Sequence, residues 1–549
     1  MDDDKVKTLG AIFEKSVRDH PDKLALKKGT REYSYGQLKY EILKVRNYLI
    51  GLGLKKGERF AVIGENRPEW AVSYLAICRA GLICVPIDPL LTEGEILHIM
   101  RESDARGVFS SENHRYKFDA IRHELKHFKW LIPMNDIKNL ESGREYPDPD
   151  IDPLSLAVLI FTSGTTGTSK AVMLSHHNII ANIQAAVRAI NVTPEDRFVS
   201  IIPMHHTFEG TVGFLLPLYT GSSVYYPQSL KPVDLVGTMK QAGVTLMVAV
   251  PILFEKLLNG VQRKVAAASV PTKILFSTMS GISTVLTFLR RPLFATVRRE
   301  MGLDRLRIAV SGGAALPERV ANGLAALGIP IIQGYGLTES SPILTVNPLN
   351  RPKNASVGTA LPGVEVKIDE PDHQGIGEII ARGPNIMLGY YHNKKATDEV
   401  LQDGWLRTGD IGYLDREGYL YITGRIKSII VTQTGKNIYP EELEDLLIKN
   451  PLVKEVLVIP RIESKTKKEE VCALIYPDYE LLEQYSINKK VTLSEEQVQE
   501  IFKDEVRKVN ENLPAYKKIT QFEIRQEEFP KTTTLKIKRH MFVDRGIKV

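Results

Sequence analysis

The chain has little cysteine, and we expect neither a targeting segment nor a membrane span from its sequence pattern. Its 549 residues include three cysteines, Cys78, Cys84 and Cys472. This low, odd number without a close pair fits a reducing compartment and excludes a disulfide framework. The first five residues are acidic and precede no apolar stretch, so we expect no signal peptide. The longest apolar run, residues 244–254, is too short to cross a bilayer and is interrupted by a proline. A cytoplasmic protein is therefore expected.

The charge pattern argues against a nucleic-acid partner. The formal net charge is +6, but the basic residues are spread along the chain. Nucleic acid is bound through clustered lysine and arginine, so we expect no such partner. The hydrophobic fraction of 43% and the charged fraction of 25% are ordinary for globular proteins. At this length, more than one domain is the default expectation.

Apolar, β-branched runs alternate with amphipathic stretches through most of the chain. The runs predict buried strands at Arg59–Gly64, Leu156–Phe161, Val199–Met204, Leu246–Val250 and Leu306–Ser311. The amphipathic stretches predict helices at Pro68–Ala80, Ser175–Ile190, Pro251–Val265 and Pro317–Leu327. Pro317 suits a first helical turn, where its missing N–H is not needed, and Gly328 suits the end of the same helix. The alternation predicts layered α/β structure with largely parallel sheets.

A change in the pattern of apolar runs and turns indicates a second domain. From about Val357 the chain consists of short β-like runs separated by glycine and aspartate turns. We place a boundary after Arg425, which gives a large N-terminal α/β domain of residues 1–425 and a small α+β C-terminal domain of residues 426–549. Within the small domain we expect strands at Val453–Ile459 and Val471–Tyr476 and a helix at Ser494–Asn510.

The most informative stretch is a loop rich in glycine and hydroxyl groups. It reads Phe161-Thr162-Ser163-Gly164-Thr165-Thr166-Gly167-Thr168-Ser169-Lys170, and a strand is predicted before it and a helix after it. Glycines let backbone N–H groups close on an anion, and hydroxyls add donors without charge, so the loop predicts a polyphosphate site. It is not a Walker A loop, because Lys170 is followed by Ala171 rather than by serine or threonine. Taken alone, it would also fit a solvated Ser/Gly turn.

Further motifs follow the loop in a fixed order. They are Met204-His205-His206-Thr207-Phe208-Glu209, Ser311-Gly312-Gly313-Ala314, Gln333-Gly334-Tyr335-Gly336-Leu337-Thr338-Glu339, Arg382-Gly383-Pro384 through Gly389-Tyr390, Trp405-Leu406-Arg407-Thr408-Gly409-Asp410, Gly424-Arg425-Ile426-Lys427, Asn437-Ile438-Tyr439-Pro440-Glu441-Glu442, and Pro530-Lys531-Thr532 to Lys536-Ile537-Lys538-Arg539. Together they resemble the signature of the adenylate-forming superfamily, which includes acyl-CoA synthetases, peptide-synthetase adenylation domains and beetle luciferases. The resemblance covers nearly the whole chain.

The finer pattern is similar to that of long-chain fatty acid–CoA ligases. The similar segments are Val250-Pro251 with Phe254-Glu255-Lys256-Leu257, Phe288-Leu289-Arg290-Arg291-Pro292-Leu293, and Thr534-Leu535-Lys536-Ile537-Lys538. Two residues of the phosphate loop depart from the family pattern, since Ser169 replaces a usual proline and Ala171 a usual glycine. Both are small, so we expect a changed stiffness of the loop rather than a loss of function.

The resemblance implies an ATP site. It assigns nucleotide binding to Thr162, Ser163, Gly164, Thr165, Thr166, Gly167, Lys170, Gly312, Gly313, Ala314, Gly334, Tyr335, Gly336, Thr338, Asp410 and Arg425. In this assignment the loop binds the β- and γ-phosphates and Tyr335 stacks on adenine. Asp410 binds the ribose hydroxyls and Arg425 assists. Glu339 is implied as the Mg²⁺ ligand, because this cation prefers carboxylate and phosphate oxygens. Without the resemblance, Glu339 and Arg425 would be solvated surface residues and Asp410 a helix cap.

Three more residues are implied in catalysis and motion. Lys536 would reach the α-phosphate and the substrate carboxylate, where charge develops in the transition state. His206 would lie in the acyl pocket near the carboxylate and the entering thiol. Without the resemblance, Lys536 would be one lysine of a basic tail and His206 a structural histidine. Lys427 stands at the hinge position, about which a mobile C-terminal domain would rotate between the two half-reactions.

The expected function is ATP-dependent activation of a medium- or long-chain fatty acid to an acyl-adenylate. Transfer to coenzyme A would follow, with release of AMP and pyrophosphate. An acyl-[carrier protein] ligase, a CoA ligase for an aryl or short-chain acid, and a non-catalytic adenylate or lipid sensor remain as alternatives. Chain length is left open, because it depends on side chains that converge near His206, Val250, Gly312 and Ser341.

The oligomeric state and membrane association are also left open by the sequence. A homodimer is one option, and the pathway in which the enzyme acts is not indicated. Residues Leu286–Arg299 mix apolar side chains with arginines, which would suit contact with a membrane surface. A helix packed on the core is the alternative for that segment.

Overall fold

The computed structural model describes residues 6–141, 143–162, 169–267, 278–279, 289–431, 437–462, 469–489, 493–532 and 536–543. The chain divides into two units. The first comprises Met1–Val366, Ala381–Arg407 and Arg416–Leu420, and the second comprises Lys367–Ile380, Thr408–Asp415 and Tyr421–Val549. The domain boundary expected after Arg425 stays a prediction.

Strands and helices alternate along most of the chain. The strands are β1 (Leu24–Lys28), β2 (Arg31–Ser34), β3 (Arg59–Ile63), β4 (Ile83–Ile87), β5 (Gly107–Ser110), β6 (Trp130–Pro133), β7 (Leu156–Thr162), β8 (Lys170–Ser175), β9 (Arg197–Val199), β10 (Ser223–Tyr225), β11 (Leu246–Ala249), β12 (Ile308–Ser311), β13 (Ile331–Gly336), β14 (Ile343–Val346), β15 (Thr359–Ala360), β16 (Glu365–Asp369), β17 (Gly377–Arg382), β18 (Gly389–Tyr390), β19 (Leu401–Gln402), β20 (Trp405–Leu414), β21 (Leu420–Arg425), β22 (Ile430–Val431), β23 (Asn437–Ile438), β24 (Val453–Ile462), β25 (Glu469–Pro477) and β26 (Gln521–Ile524).

The helices, in chain order, are α1 (Glu14–Asp19), α2 (Tyr35–Gly51), α3 (Pro68–Arg79), α4 (Glu93–Ser103), α5 (Arg115–Ile121), α6 (His176–Ile190), α7 (Leu216–Thr220), α8 (Pro232–Ala242), α9 (Pro251–Ala267), α10 (Arg290–Leu293), α11 (Ala295–Glu300), α12 (Glu318–Ala326), α13 (Lys394–Val400), α14 (Pro440–Leu447), α15 (Tyr479–Lys489), α16 (Glu495–Glu511) and α17 (His540–Val543). A π-helix spans Glu209–Leu215. Short 3₁₀ helices include Thr338–Ser340 and Ile426–Ser428.

Two sheets form the centre of the first unit. One has nine strands in the order β15-β14-β13-β12-β11-β9-β10-β1-β2, and the other has seven in the order β18-β8-β7-β4-β3-β5-β6. In the nine-stranded sheet, neighbours from β13 to β1 are parallel and the outer strands are antiparallel. In the seven-stranded sheet, β7 to β6 are parallel and β8 and β18 are antiparallel. The predicted predominance of parallel pairing is confirmed.

Successive side chains of the central strands face two different cores. In β3, Phe60 and Val62 belong to the core shared by the two sheets, and Ala61 and Ile63 belong to a core on the outer face. Side chains of α2, α3 and α6 fill the shared core, whereas α4 and α5 cover the outer face of the seven-stranded sheet. Helices α8, α9 and α12 cover the outer face of the nine-stranded sheet. This period of two, with helices on both faces, confirms the predicted layered α/β class.

The strand predicted over Val199–Met204 is wrong beyond its first residue. Strand β9 ends at Val199, and the side chain of Asn66 binds the backbone that follows. Its amide Nδ2 donates to the Ile202 carbonyl at 2.7 Å, and its Oδ1 accepts from the Met204 N–H at 2.9 Å. The Ser200 N–H still donates to the Tyr225 carbonyl of β10, but at Ile202 and Met204 the Asn66 side chain replaces a neighbouring strand as the hydrogen-bond partner.

Two predicted helix starts need a correction of one residue or more. Pro317 is the residue before α12, with ψ 131°, rather than its first helical residue. Gly328, with φ +72°, follows the end of α12 as predicted. The helix predicted at Ser175–Ile190 begins one residue later, at His176. The sequence did not predict β8, Lys170–Ser175, which lies between the phosphate loop and this helix and pairs with β7.

The second unit has its own small core. Strands β24 and β25 pair antiparallel and β25 and β26 pair parallel, in a three-stranded sheet. Helices α14 and α16 pack on it through Leu443, Leu447, Phe502 and Val506. Ser494 caps α16 by accepting from the Gln497 N–H. The two strands and the helix predicted for this α+β region are confirmed. A further sheet has the order β16-β17-β20-β19, with β21 on β20.

None of the helices in the described ranges is long and apolar enough to cross a membrane. In the segment considered for membrane contact, Phe294 is fully buried. Arg298 is also buried, and its guanidinium donates to the carbonyls of Gly328 and Leu306. These residues of the segment are therefore packed on the core, whereas residues 286–288 lie outside the described ranges. Peripheral membrane contact and a homodimer stay predictions.

Candidate active site

The two ends of the predicted phosphate loop are held side by side. Thr162 ends β7 and Lys170 begins β8, and the two residues are partners in the antiparallel pair. The Thr162 hydroxyl donates to the Lys170 carbonyl at 3.3 Å. The loop residues Ser163, Gly164, Thr165, Thr166 and Gly167 lie outside the described ranges. The structure thus fixes where the loop leaves and re-enters the seven-stranded sheet.

Lys170 and Glu339 are joined through one tyrosine. Tyr390 lies on β18, which pairs with β8. The Lys170 ammonium lies 4.7 Å from the centroid of the Tyr390 ring, and the Tyr390 hydroxyl donates to Glu339 Oε1 at 2.8 Å. A cation over the ring face is attracted by the ring quadrupole. Three segments that are far apart in sequence therefore place the loop lysine and the proposed metal ligand around one side chain.

The turn that carries Glu339 is fixed by amide side chains. Asn385 Nδ2 donates to the Ser340 carbonyl at 2.9 Å, and Asn182 Nδ2, from α6, donates to the Ile343 carbonyl at 2.8 Å. The backbone N–H of Met387 donates to the Glu339 carbonyl at 2.9 Å. These bonds come from both sides of the turn and hold its backbone in one conformation. The position from which the Glu339 side chain extends is therefore fixed by these hydrogen bonds.

The expected adenine segments follow two neighbouring parallel strands. Gly312, Gly313 and Ala314 come after β12, while Gly334, Tyr335 and Gly336 lie on β13 beside it. Two glycines here are needed for space. A Cβ on Gly336 would lie 1.8 Å from the Pro342 carbonyl oxygen, and one on Gly312 would lie 2.8 Å from the Phe208 ring. Gly313, at φ +83°, and Ala314 are exposed, and Tyr335 is half-buried, so these residues remain accessible to a ligand.

The predicted pocket residues converge in the first unit. The Phe208 ring packs against Gly312, and Val250 lies in contact range of Gly313. The Thr211 hydroxyl donates to the Ser341 carbonyl at 3.1 Å. The segments of the predicted acyl pocket, which are distant in sequence, therefore lie near one another.

His206 lies beside a second histidine. The ring centroids of His206 and His205 are 4.3 Å apart. His206 is half-buried, whereas His205 is buried, with its Nε2 at 3.6 Å from a carboxylate oxygen of Asp88. Asp88 follows β4. Its carboxylate lies near the His205 ring, which in turn lies against His206, the predicted pocket histidine.

Glu209, in the same motif, is a fully buried carboxyl group. The Ser200 hydroxyl donates to its Oε1 at 2.5 Å. Desolvation raises the pKa of Glu209 to about 8, although the Ser200 hydrogen bond opposes the shift. A Cβ on Gly213 would lie 2.4 Å from the Glu209 carboxyl carbon, so the π-helix needs glycine there. The raised pKa favours the neutral form of this carboxyl group.

In the second unit, Asp410 and Arg425 form an ion pair. Asp410 lies on β20 and is 3% exposed, and Arg425 ends β21. The Arg425 Nε lies 2.7 Å from Asp410 Oδ1. The Thr408 hydroxyl accepts from the Asp410 backbone N–H at 3.1 Å. The carboxylate assigned to ribose is thus oriented by an arginine from the neighbouring strand.

Lys536 belongs to the second unit and is hydrogen-bonded to Thr532. The Thr532 N–H donates to the Lys536 carbonyl at 2.8 Å, and the Lys536 N–H donates to the Thr532 hydroxyl at 3.2 Å. We call residues 529–539 the lysine loop, of which residues 533–535 lie outside the described ranges. Desolvation lowers the pKa of Lys536, with a smaller contribution from Arg425, while Asp410 opposes the shift. The side chain keeps exposed surface, which limits the desolvation.

A preformed multi-ligand metal site is absent from the described ranges. No group of three His, Cys, Asp or Glu side chains is placed there to hold a metal ion. One stretch, residues 123–127, has the HExxH spacing of zinc enzymes. Its Glu124 pairs with Arg101 at 2.6 Å and its His127 with Asp104 at 2.7 Å. These side chains serve surface ion pairs, and the spacing carries no zinc site here.

Comparison with known proteins identifies the family. The sequence profile of AMP-binding enzymes matches residues 13–391, and that of the AMP-binding enzyme C-terminal domain matches residues 427–545. The chain belongs to the AMP-binding enzyme family. This match confirms the resemblance to adenylate-forming enzymes and the prediction that the chain is an enzyme.

Similar proteins span almost the whole of this AMP-binding enzyme. The long-chain-fatty-acid–CoA ligase of Escherichia coli O157:H7 is 29% identical over an alignment 505 positions long, and the match covers 83% of each chain. The enzyme of that name from Yersinia pestis is 28% identical and covers 100% of this chain and 96% of the relative. ATP-bound MatB from Rhodopseudomonas palustris has a TM-score of 0.80 at 25% identity, with 98% of both chains covered. The anthranilate CoA ligase AuaEII, in complex with anthranoyl-AMP, shares the fold with a TM-score of 0.82 at 24% identity, covering 100% and 99% of the two chains.

Sequence reasoning missed several residues around Glu339 in this AMP-binding enzyme. Tyr390 and Asn385 fall in a segment that the sequence marked as a family motif without a role. Asn182 lies on α6, where an asparagine reads as an ordinary polar residue. Their contacts to the Glu339 turn join positions 42 to 161 residues apart, and no local pattern encodes such pairs.

Proposed function

We propose that this enzyme converts a medium- or long-chain fatty acid to its acyl-adenylate and transfers the acyl group to coenzyme A. ATP would be consumed, with AMP and pyrophosphate as products. The relatives named long-chain-fatty-acid–CoA ligase support this proposal at 28–29% identity over most of the chain. The observation that carries it is the contact of Tyr390 with both Lys170 and Glu339, because a phosphate-binding cation and a metal-binding carboxylate are what ATP activation needs.

The first step joins two anions, so the site must neutralise charge and hold the reactants in line. A carboxylate oxygen of the acid attacks the α-phosphorus of ATP, and the bond from that phosphorus to the pyrophosphate oxygen breaks. Lys170 and the phosphate loop would bind the departing phosphates. The oriented carboxylate of Glu339 fits Mg²⁺, which is commonly held by one or two carboxylates together with substrate phosphates. When bound, this ion neutralises charge on the leaving group.

The family motifs imply three further nucleotide contacts, from Asp410, Arg425 and Lys536. Asp410, held by Arg425, would accept hydrogen bonds from the ribose hydroxyls. Lys536 would place positive charge at the α-phosphate and the attacking carboxylate, where it lowers the barrier most. In the second step the thiol sulfur of CoA attacks the acyl carbonyl carbon. The acyl–phosphate bond then breaks, AMP leaves and the thiol proton is released.

The neighbourhood of the predicted acyl pocket supports an apolar acid. Phe208 and Val250 present apolar surface next to Gly312 and Gly313, and apolar surface gains free energy when an alkyl chain leaves water. His206, half-buried beside them in the same motif, would lie near the carboxylate end of the acid. Magnesium, CoA and the chain length of the acid are parts of this proposal.

An acid panel tests the substrate. The rate of acid-dependent AMP release would be measured from acetate through palmitate, together with benzoate and cinnamate. Medium or long saturated chains should give the highest kcat/KM. The Glu339→Gln variant should lose activity with every acid alike, which separates the chemistry from the acid preference. A clear preference for acetate or an aryl acid would overturn the fatty-acid assignment.

A second comparison tests the acceptor. Free CoA and a phosphopantetheinylated carrier protein would be offered to the enzyme at equal thiol concentration. Transfer to CoA should be the faster reaction. Faster transfer to the carrier protein would make the chain an acyl-[carrier protein] ligase while leaving the adenylation chemistry in place.

A further inference from the structure

The first end of the lysine loop is tied to strand β24 through Glu455. The backbone N–H of Phe529 donates to Glu455 Oε2 at 3.1 Å. The ammonium of Lys531 pairs with the other oxygen of the same carboxylate. The Glu455 and Lys531 side chains are only 10% and 15% exposed. The Phe529 ring is buried among Leu457 and neighbouring apolar residues. Lys531 also pairs with Glu528 at 3.0 Å, but Glu455 is the shielded carboxylate that binds both Phe529 and Lys531.

The other end is tied to the same strand through Arg539. Its guanidinium nitrogen Nη2 donates to both carboxylate oxygens of Glu444, at 2.8 Å each, and Nη1 donates to the Val458 carbonyl at 2.8 Å. Glu444 Oε1 also accepts from the Val458 N–H at 2.7 Å. Helix α14 and strand β24 thereby hold the loop end through a closed set of hydrogen bonds. Glu441 adds a longer contact to Arg539 at 3.5 Å.

We propose that Glu444 and Glu455 are positioning residues for Lys536 in the adenylation step. Lys536 lies between their two anchor points and has a long, flexible side chain, so the direction of its ammonium depends on the backbone that carries it. Glu455 on β24 holds Phe529 and Lys531 before Lys536, and Glu444 on α14, together with Val458 on β24, holds Arg539 after it. A site is efficient when charge is held in place before the reaction, because no reorganisation is then needed. This inference rests on the proposed role of Lys536.

Stability alone does not account for two shielded carboxylates around one loop. Desolvation raises the pKa of Glu444 to about 7, while Arg539 opposes the shift. Burying the charged form of this carboxyl group therefore costs free energy of folding. Well-packed apolar residues often replace a buried ion pair without loss of stability. The directional contacts of carboxylates supply something that apolar packing lacks, which is a defined position for the loop ends.

The test uses Glu444→Gln and Glu455→Gln in the full chain, with Glu523→Gln as the matched control. Glu523 pairs with Arg461 on the same three-stranded sheet, and no hydrogen bond or ion pair joins it to the described residues of the lysine loop. Adenylate formation would be followed by pyrophosphate exchange, and thioester formation would be measured from a supplied acyl-adenylate. A misplacement of about 1 Å can cost about 100-fold in rate, so we expect kcat for adenylate formation to fall about 10- to 100-fold. Thioester formation and the control should stay within about two-fold of wild type.

Lys536→Ala distinguishes failure of this inference from failure of the proposed function. In that background the two glutamine substitutions should cause no further loss of adenylate formation, because they act only through the lysine. If Lys536→Ala alone leaves adenylate formation intact, the proposed role of Lys536 is wrong. If Lys536→Ala is inactive but the glutamine variants behave like Glu523→Gln, or lose both half-reactions equally, the positioning role is wrong. If one glutamine variant does not fold, the other glutamine variant and Arg539→Lys are measured instead. If none of the three folds, the contacts of Glu444 and Glu455 serve folding only, and the positioning role is wrong.

Discussion

The hydroxyl of Tyr390 donates a 2.8 Å hydrogen bond to the carboxylate of Glu339. Burial raises the pKa of Tyr390 well above its usual value, and the Glu339 charge adds to the shift. The phenol therefore stays protonated and remains a donor at every physiological pH. One oxygen of the proposed metal ligand is thus kept in a fixed direction, and the ring that does so also lies under the Lys170 ammonium.

Tyr390→Phe should weaken the use of Mg²⁺ in adenylate formation. The substitution keeps the ring beneath Lys170 and removes only the hydrogen bond to Glu339. A hydrogen bond to a charged acceptor is worth about 1.5–3 kcal/mol, so the half-saturating Mg²⁺ concentration should rise about 10-fold or more. Pyrophosphate exchange over a Mg²⁺ titration measures it, with Tyr391→Phe, the neighbouring tyrosine, as control. An unchanged Mg²⁺ dependence in a folded Tyr390→Phe protein would show that the hydroxyl does not orient the ligand.

Lys536→Ala should separate the two half-reactions. The ammonium would stabilise charge at the α-phosphate, which the second step no longer needs. Loss of one such group typically costs about 100- to 1,000-fold, so adenylate formation should fall by that much. Thioester formation from supplied acyl-adenylate should be nearly unaffected. Lys538→Ala, in the same loop, is the charge-matched control. An equal loss of both half-reactions would identify Lys536 as structural.

Glu209→Gln should change how thermal stability depends on pH. The folded pKa of Glu209, about 8, lies above its usual 4.5. A carboxyl group raised in this way contributes stability that is fully present below pH 4.5 and is lost as the pH rises through 8. The loss is at most about 1.4 kcal/mol per pH unit. Wild type should therefore lose stability relative to Glu209→Gln across this range.

Thermal midpoints of the two proteins between pH 5 and 9 measure the effect. Glu32→Gln, at an exposed position, should follow wild type. Parallel curves for wild type and Glu209→Gln would mean that Glu209 is ionised in the folded protein and has a partner for its charge.

Local patterns predicted the layers of the fold but not the links within the site. The unbroken apolar run predicted β3 as a buried strand. Its side chains then alternate as in any strand, with Phe60 and Val62 on one face and Ala61 and Ile63 on the other. Residues 200–204 look equally strand-like, yet the side chain of Asn66, more than 130 residues away, binds their backbone. Periodicity reports on neighbours along the chain and carries no information about such distant partners.

The motifs likewise named residues without their mutual contacts. Glu339 was recognised within its motif, whereas its donor Tyr390 lies 51 residues further along. Lys170 and Tyr390 meet because β18 pairs with β8, and strand pairing across 220 residues depends on the whole sheet. The roles of Lys536, Asp410 and the other site residues rest on the family motifs and stay predictions.

The hinge prediction concerns Lys427, which lies exposed in the 3₁₀ helix Ile426–Ser428 directly after Arg425. The two half-reactions need different surroundings at one carbonyl carbon, first a lysine at the α-phosphate and then a channel for the pantetheine arm. Rotation of a domain about a short segment is an economical way to provide both. Proline fixes φ near −65° and also disfavours helical backbone at the residue before it. Lys427→Pro would therefore restrict Ile426 as well as its own position.

We expect Lys427→Pro to retain adenylate formation and to lose transfer to CoA. A chain trapped in one arrangement can complete only the half-reaction that this arrangement serves, so the loss of transfer should exceed about 10-fold. Lys427→Ala removes the same side chain without restricting the backbone and should support both half-reactions. Acid-dependent pyrophosphate exchange and acyl-CoA formation would be measured separately on folded protein. Equal loss of both in Lys427→Pro would show damage to the fold, and unchanged rates would show that the backbone at this position does not turn during the reaction.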